Sequence, residues 1–255
     1  MTPLQRALIE KAGHDHGFEH VLPDSSDAVH LGSARHPAKV SVSLVPQGFA
    51  LTLLQGPPTL WPELARSVLD GSLAGGAWVV ANEAALARCL RRAAVLAQAL
   101  PHQVVVDFEA QVLQTLSAMP ASDLQSTEVQ RMVRQRVGQD RYRQAMLNYW
   151  GGACAVTGLT LQPVLRASHA KPWADCATDA ERLDVFNGFL LSAHLDALFD
   201  QFLISFTEAG RIVISPRVSA QDRQALALSE HLALRWIADE HQRYLRFHRQ
   251  RLDLG

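Results

Sequence analysis

Hydrophobic and polar residues alternate twice in close succession near the start of the chain. The two runs are VSVSLV (residues 40–45) and FALTLL (49–54), set about Pro46-Gln47-Gly48. Two period-two runs around a Pro/Gly turn predict a β-hairpin. Elsewhere in the first hundred residues the period lengthens. Residues 4–12 predict a short helix and LWPELARSVLD (60–70) another, with a loop from Gly71 to Gly76 and one more strand at AWVV (77–80). NEAALARCLRRAAVLAQA (82–99) repeats its apolar positions at helical spacing, with Asn82 suited to cap it and Pro101 to end it. Residues 103–118 predict a helix, or a strand running into one. The pattern describes a small α+β domain over residues 1–118.

Met119-Pro120-Ala121-Ser122-Asp123 is short, polar and Pro-containing, which predicts a linker over 119–125. The remainder, 126–255, reads as a second domain. Its lead-in is a helix over 127–137, a break at Gly138 and a helix over 139–149. VLRASHA (164–170) predicts a strand ended by Lys171-Pro172-Trp173. A polar loop follows with Asp175, Asp179, Glu181 and Asp184, and Asn187-Gly188 turns into a strand at FLLS (189–192). HLDALFD (194–200) has Leu195, Leu198 and Phe199 at helical spacing. FLISF (202–206) and RIVIS (211–215) predict a closing hairpin. Strand, loop, strand and helix, with His, Asn, His and Asp at the joins, make a ββα layout. Residues 231–252 predict a final helix with Leu234, Ile237, Tyr244 and Phe247 toward the core and Arg243, Arg246, Arg249 and Arg251 on its polar side.

Composition narrows the chemistry. A hydrophobic fraction of 48% over 255 residues supports two cores. Only 19% of residues are charged and the formal net charge is -1, so any nucleic-acid affinity must rest on local charge. The densest basic stretch holds Arg131, Arg134, Arg136, Arg141 and Arg143 against Glu128 and Asp140, immediately before the ββα segment. It reads either as solvated helix faces or as a phosphate-contacting surface suited to the arginine fork. No apolar run reaches the roughly 18–20 residues of a membrane helix, and the N-terminus lacks the apolar core of a secretory signal. Cys89, Cys154 and Cys176 are scattered and form no CxxC pair. That argues against a disulfide framework or a cysteine zinc knuckle and fits a reducing cytoplasm. His14, Asp15, His16 and His20 lack ligand spacing and read as solvent-facing residues near a helix end.

The strings CAVTG (154–158), ASHAKPW (167–173), NGFLL (187–191) and HLDALFD (194–200), followed by LISF, resemble an HNH endonuclease domain. The likeness is to the restriction-endonuclease-like branch without a cysteine zinc knuckle. The helical lead-in RQRVGQDRYRQAMLNYW (134–150) is similar to that branch too. The resemblance implies a ββα-metal fold and a metal-dependent enzyme that hydrolyses DNA phosphodiester bonds. It makes His169 the general base, an imidazole able to take a proton from water near neutral pH. Asn187 becomes the middle Asn that orients the loop, and His194 the final His. For the metal it offers His194 and Asp196 as the leading pair and Asp200 as a third ligand. Ser168 stands where many relatives carry a carboxylate or His. An oxygen-rich shell suits Mg²⁺ or Mn²⁺, and a His extends tolerance to Ni²⁺, Co²⁺ or Zn²⁺. Arg134, Arg136, Arg141, Arg143 and Lys171 are then candidates to contact DNA. A restriction or defence role and a homodimer for double-strand cleavage follow by analogy only. The alternative is a non-catalytic DNA-binding module with a degenerate site, motivated by Ser168.

Overall fold

The computed structural model describes residues 1–23, 27–68, 71–120 and 126–253. The expected linker, 119–125, lies largely outside the described residues. Two compact units form, Met1–Gln103 and Val104–Gly255, and the architecture is α+β.

The first unit is a six-stranded antiparallel sheet with helices α1 (Pro3–Asp15), α2 (Leu60–Ser67) and α3 (Glu83–Ala99). Its strands are β1 (His20–Leu22), β2 (Ala28–Gly32), β3 (Lys39–Val45), β4 (Gly48–Gln55), β5 (Ser72–Ala74) and β6 (Ala77–Val80), in the order β1-β2-β3-β4-β6-β5. The predicted hairpin is β3–β4, with Val42 opposite Leu51 and both fully buried. Asn82 caps α3 by accepting from the Ala85 N–H at 2.9 Å, as its position before the apolar repeat predicts. Thr2 and Gln5 cap α1 reciprocally. The segment expected as a loop from Gly71 to Gly76 instead contains β5, which pairs with β6 along Ser72↔Val79 to Ala74↔Ala77.

Helix α4 (Pro101–Ser117) lies mostly in the second unit, although the sequence reading grouped it with the first. Helix α5 (Thr127–Tyr149) runs unbroken, correcting the expected break at Gly138. A mid-helix glycine costs roughly 1 kcal/mol relative to alanine. Gly138 is nevertheless placed for a reason: a Cβ there would meet the Trp173 ring at 2.4 Å. The ring occupies the space that a side chain would need.

The ββα segment follows. Strands β7 (Leu165–His169) and β8 (Gly188–Ser192) pair antiparallel from Leu165↔Ser192 to His169↔Gly188. Between them lies a single-turn helix, α6 (Asp179–Arg182), and after them comes α7 (Ala193–Asp200). The predicted closing hairpin is β9 (Ile204–Phe206) with β10 (Ile212–Ile214). Helices α8 (Ala220–Ala225) and α9 (Gln242–Asp253) complete the unit. The final helix is shorter than the expected 231–252. Residues 231–238 are non-helical instead, with a single bridge from Ala233 to Arg211, Leu234 N–H donating to Gly210 O at 2.8 Å and Arg235 N–H to Ala155 O at 2.7 Å. Phe189, Phe199, Phe206, Trp150 and Tyr149 form the buried center against which the hairpin and α7 pack. Among the described residues no helix is long and apolar enough to cross a membrane.

Candidate active site

His169 ends β7, where strand pairing fixes its backbone against Gly188. Gly188 has φ +154, and a Cβ there would lie 1.9 Å from Ser168 O and 2.5 Å from the Tyr142 hydroxyl. Only glycine permits that approach. Tyr142, from α5, uses it. Its hydroxyl donates to Asn187 O at 3.0 Å, and its ring stacks on the His169 imidazole at 3.8 Å between centroids. Trp173 meets the same imidazole edge-on at 5.8 Å.

One ring nitrogen of His169 is committed. Nε2 lies 2.9 Å from the Arg182 carbonyl, which can only accept, so Nε2 carries the hydrogen. Nδ1 then holds the lone pair. Burial pushes the imidazole down to about 4, with the Arg182 carbonyl acting in the opposite sense. The ring is therefore neutral at cellular pH, the form that accepts a proton.

Asn187 is fully buried, and its side-chain hydrogen bonds go to the β7–β8 loop and not to the His169 ring. Its Oδ1 accepts from Lys171 N–H at 2.8 Å. Its Nδ2 reaches Glu181 O at 3.0 Å, Lys171 O at 3.2 Å and Cys176 Sγ at 3.3 Å. One amide thus ties both ends of the β7–β8 loop to the start of β8. The turn into β8 closes at Asp184, whose carbonyl accepts from Asn187 N–H at 2.8 Å.

Helix α7 sorts the three candidate ligands. Asp196 and Asp200, four residues apart, share a face and line a cleft of about 340 Å³ together with His169, Arg143, Arg166 and Trp173. His194 does not join them. It is exposed, its Nδ1 lies 3.4 Å from Ser192 Oγ, and it lines a separate depression with residues 157–160. Residues two apart on a helix point about 200° apart, so a helix that already begins at Ala193 carries His194 away from Asp196. Ser168, fully inside the strand pair, donates to Asp196 Oδ1 at 2.5 Å.

The donor chemistry of the cleft fits a hard cation. Asp200 keeps an exposed edge, yet loss of surrounding water, and then the Asp196 charge, push its carboxyl up to about 6. A cation beside the two would relieve both effects. Among the described residues no three His, Cys, Asp or Glu side chains form a group able to hold an ion by themselves. Two carboxylates completed by water and substrate phosphate are a usual arrangement for Mg²⁺.

The basic candidates divide. Arg143 lines the cleft while donating to Leu165 O at 2.8 Å. Arg166 lines it too and escaped the sequence reading, because its charge lies in a strand and outside the dense Arg stretch. Arg136 is exposed and Arg141 half-buried, and neither lines that cleft. Lys171 pairs with Glu181 at 2.9 Å, and Arg134 pairs with Glu109 at 2.7 Å and Asp179 at 2.6 Å. In the final helix Arg243 pairs with the buried Asp184 at 2.6 Å, and Arg251 with Asp175 at 2.8 Å.

No curated protein matched the chain. Residues 154–207 match the family model described as HNH endonuclease, a stretch that runs from Cys154 through β7, β8 and α7 to the end of β9. The second unit therefore carries a domain of the HNH endonuclease family, a family of nuclease hydrolases.

Proposed function

We propose that this protein is a metal-dependent endonuclease acting on DNA, with Nδ1 of His169 as the general base. The observation that carries the reading is the His169 imidazole itself. Its Nε2–H is spent on the Arg182 carbonyl, its Nδ1 is left to accept, and it shares a cleft with Asp196 and Asp200. In hydrolysis a water oxygen bonds to phosphorus as its proton passes to His169 Nδ1. The bond from phosphorus to the 3′ oxygen breaks, and that oxygen takes a proton from solvent. Asp196 and Asp200 would hold a divalent cation, Mg²⁺ or Mn²⁺, which supplies charge stabilisation to the phosphoryl oxygens and the leaving group. Arg143 and Arg166 flank the cleft and suit phosphate contact. Asn187 positions the loop that holds Arg182. With His194 outside the cleft, the case for Ni²⁺, Co²⁺ or Zn²⁺ weakens.

The test is plasmid nicking with Mg²⁺ or Mn²⁺ against an EDTA control. The parent should cut and His169→Ala should not, while both bind DNA and unfold at similar temperatures; His169→Asn serves if the alanine variant is unstable. Equal cutting by folded parent and variant would remove His169 from the role. A second reading, a DNA-binding module with a degenerate site, draws on the lack of a three-residue ligand group among the described residues. DNA binding with no EDTA-sensitive cutting would favour it. A restriction or defence role and a homodimer remain proposals by analogy with the family.

A further inference from the structure

Helix α6 is one turn long, Asp179–Arg182, and a single turn does not sustain itself in water. Its last two carbonyls nevertheless carry the site. Glu181 O accepts from Asn187 Nδ2 at 3.0 Å and Arg182 O accepts from His169 Nε2 at 2.9 Å. Something outside must hold this turn in place. Thr178 caps it by accepting from Glu181 N–H at 3.2 Å. Asp179, its first residue, accepts from Arg182 Nη1 at 3.0 Å and from Arg134 Nη2 at 2.6 Å. Arg134 is itself anchored, with two hydrogen bonds to Glu109 on α4 at 2.7 and 3.2 Å and its guanidinium 5.0 Å from the Phe108 ring.

We propose that Arg134 is a positioning residue for His169, acting through Asp179 and the carbonyl of Arg182, and not a DNA contact. The inference rests on the nuclease reading only for its kinetic consequence. A guanidinium that already holds two carboxylates would have to release them to grip a phosphate. The pairs are also poor candidates for a purely stabilising role. Side-chain exposures of 39% for Arg134, 46% for Glu109 and 30% for Asp179 leave them well screened by solvent. Together with Lys171, which pairs with Glu181 at 2.9 Å, and the Trp173 and Cys176 carbonyls, which accept from the Arg182 guanidinium, they fix the place of the α6 carbonyls, and through the Arg182 carbonyl the tautomer and tilt of the imidazole.

The experiment reads the His169 ring directly. Nitrogen-15 NMR of the DNA-free, metal-free full chain at neutral pH should show the parent ring protonated at Nε2. Arg134→Met and Asp179→Asn should each move its signals toward a mixture of tautomers. Arg131→Met, which removes an exposed charge from the same helix, should not. In nicking assays Arg134→Met and Asp179→Asn should lower kcat by roughly 10- to 100-fold, the scale of a misplaced catalytic group. Their DNA affinity and its salt dependence should change no more than in Arg131→Met. Unchanged ring signals in the folded variants overturn the proposal. So does an Arg134→Met defect confined to DNA affinity, with the salt slope reduced by about one charge. If Arg134→Met does not fold, Asp179→Asn decides. If the parent cuts no DNA the nuclease reading falls, while the ring signals still decide this one.

Discussion

Ser168 Oγ donates to Asp196 Oδ1 at 2.5 Å, joining the residue just before the candidate base to the helix that carries both acidic groups. If Asp196 holds the proposed cation, Ser168 is a group that orients a ligand where the family resemblance expects a ligand itself. With Oδ1 engaged by Ser168, Oδ2 is the Asp196 oxygen left for a cation in the cleft that this residue lines. Ser168→Ala should weaken Mn²⁺ binding by roughly 10-fold or more, the usual effect of removing a partner of a ligand. Ser168→Asp adds a third carboxylate and should bind Mn²⁺ more tightly than the parent. Calorimetric titration of the DNA-free protein checks both, and equal affinities in all three would remove Ser168 from the cation's surroundings.

Asn187 has no solvent exposure, and its amide makes four contacts across the loop that joins β7 to β8, residues 170–187. Its removal strands the Lys171 N–H and the Glu181 carbonyl. Asn187→Ala should therefore cost about 2–4 kcal/mol in urea unfolding, since each buried group left unpaired costs about 1–3 kcal/mol. Nicking should fall further than stability alone explains, because the loop also carries the Arg182 carbonyl. A variant that unfolds like the parent would show that the loop stands without its amide.

Much of this domain was legible in the sequence. The β7–β8 pair, helix α7 and the closing hairpin follow from local periodicity, and His169 and Asn187 from the motif strings. What escaped was set by partners far along the chain. Gly138 looks like a helix break until Trp173 arrives, thirty-five residues later, to fill its space. Arg134 looks like a free cation until Glu109 and Asp179 take it. His194 matched the letters of the motif, but the phase of α7, set by its start at Ala193, sends it away from the cleft. Leu232, Leu234 and Trp236 sit two apart, a strand-like period inside a stretch expected to be helical throughout. Strands β1 and β2 span only His20–Leu22 and Ala28–Gly32, too short for alternation to mark them, although buried Val29 and Leu31 do flank a half-exposed His30.

Gly138 gives a prediction whose sign opposes helix propensity. On an exposed helix Gly→Ala would stabilise by roughly 1 kcal/mol. Here the new methyl would lie 2.4 Å from the Trp173 ring and 3.5 Å from Phe108. A rigid indole cannot bend away, and overpacking of this kind costs about 1–3 kcal/mol. Gly138→Ala should thus be destabilising alone, and the Gly138→Ala/Trp173→Leu pair should be less destabilised than the sum of the two single changes. Thermal unfolding of the four proteins checks the cycle. A stabilised Gly138→Ala would mean that the ring yields.

The last prediction concerns acid. His248 on α9 is fully buried, stacked on Phe199 at 3.8 Å, with Nε2 3.0 Å from Phe199 O and Nδ1 3.0 Å from Ser205 Oγ. The carbonyl only accepts, so Nε2 carries the hydrogen and Nδ1 accepts from the serine hydroxyl. A second ring proton would have to displace that bond inside an apolar core. Burial accordingly pushes the imidazole down from 6.5 to about 4, with the Phe199 carbonyl opposing. Between those values the unfolded chain binds a proton that the folded chain refuses. Stability from this group is complete above pH 6.5 and falls as the pH drops toward 4, by on the order of 3 kcal/mol. Replacing the ring by a group that does not titrate, as in His248→Gln, lowers stability at every pH but should flatten the slope of unfolding free energy between pH 6.5 and 4 by close to one proton. Asp200, raised to about 6, contributes an opposite slope in the parent and the variant alike, so the difference between the two isolates His248. Urea titrations across that range measure it, and parallel slopes would show that the ring titrates as freely in the folded protein as in the unfolded chain.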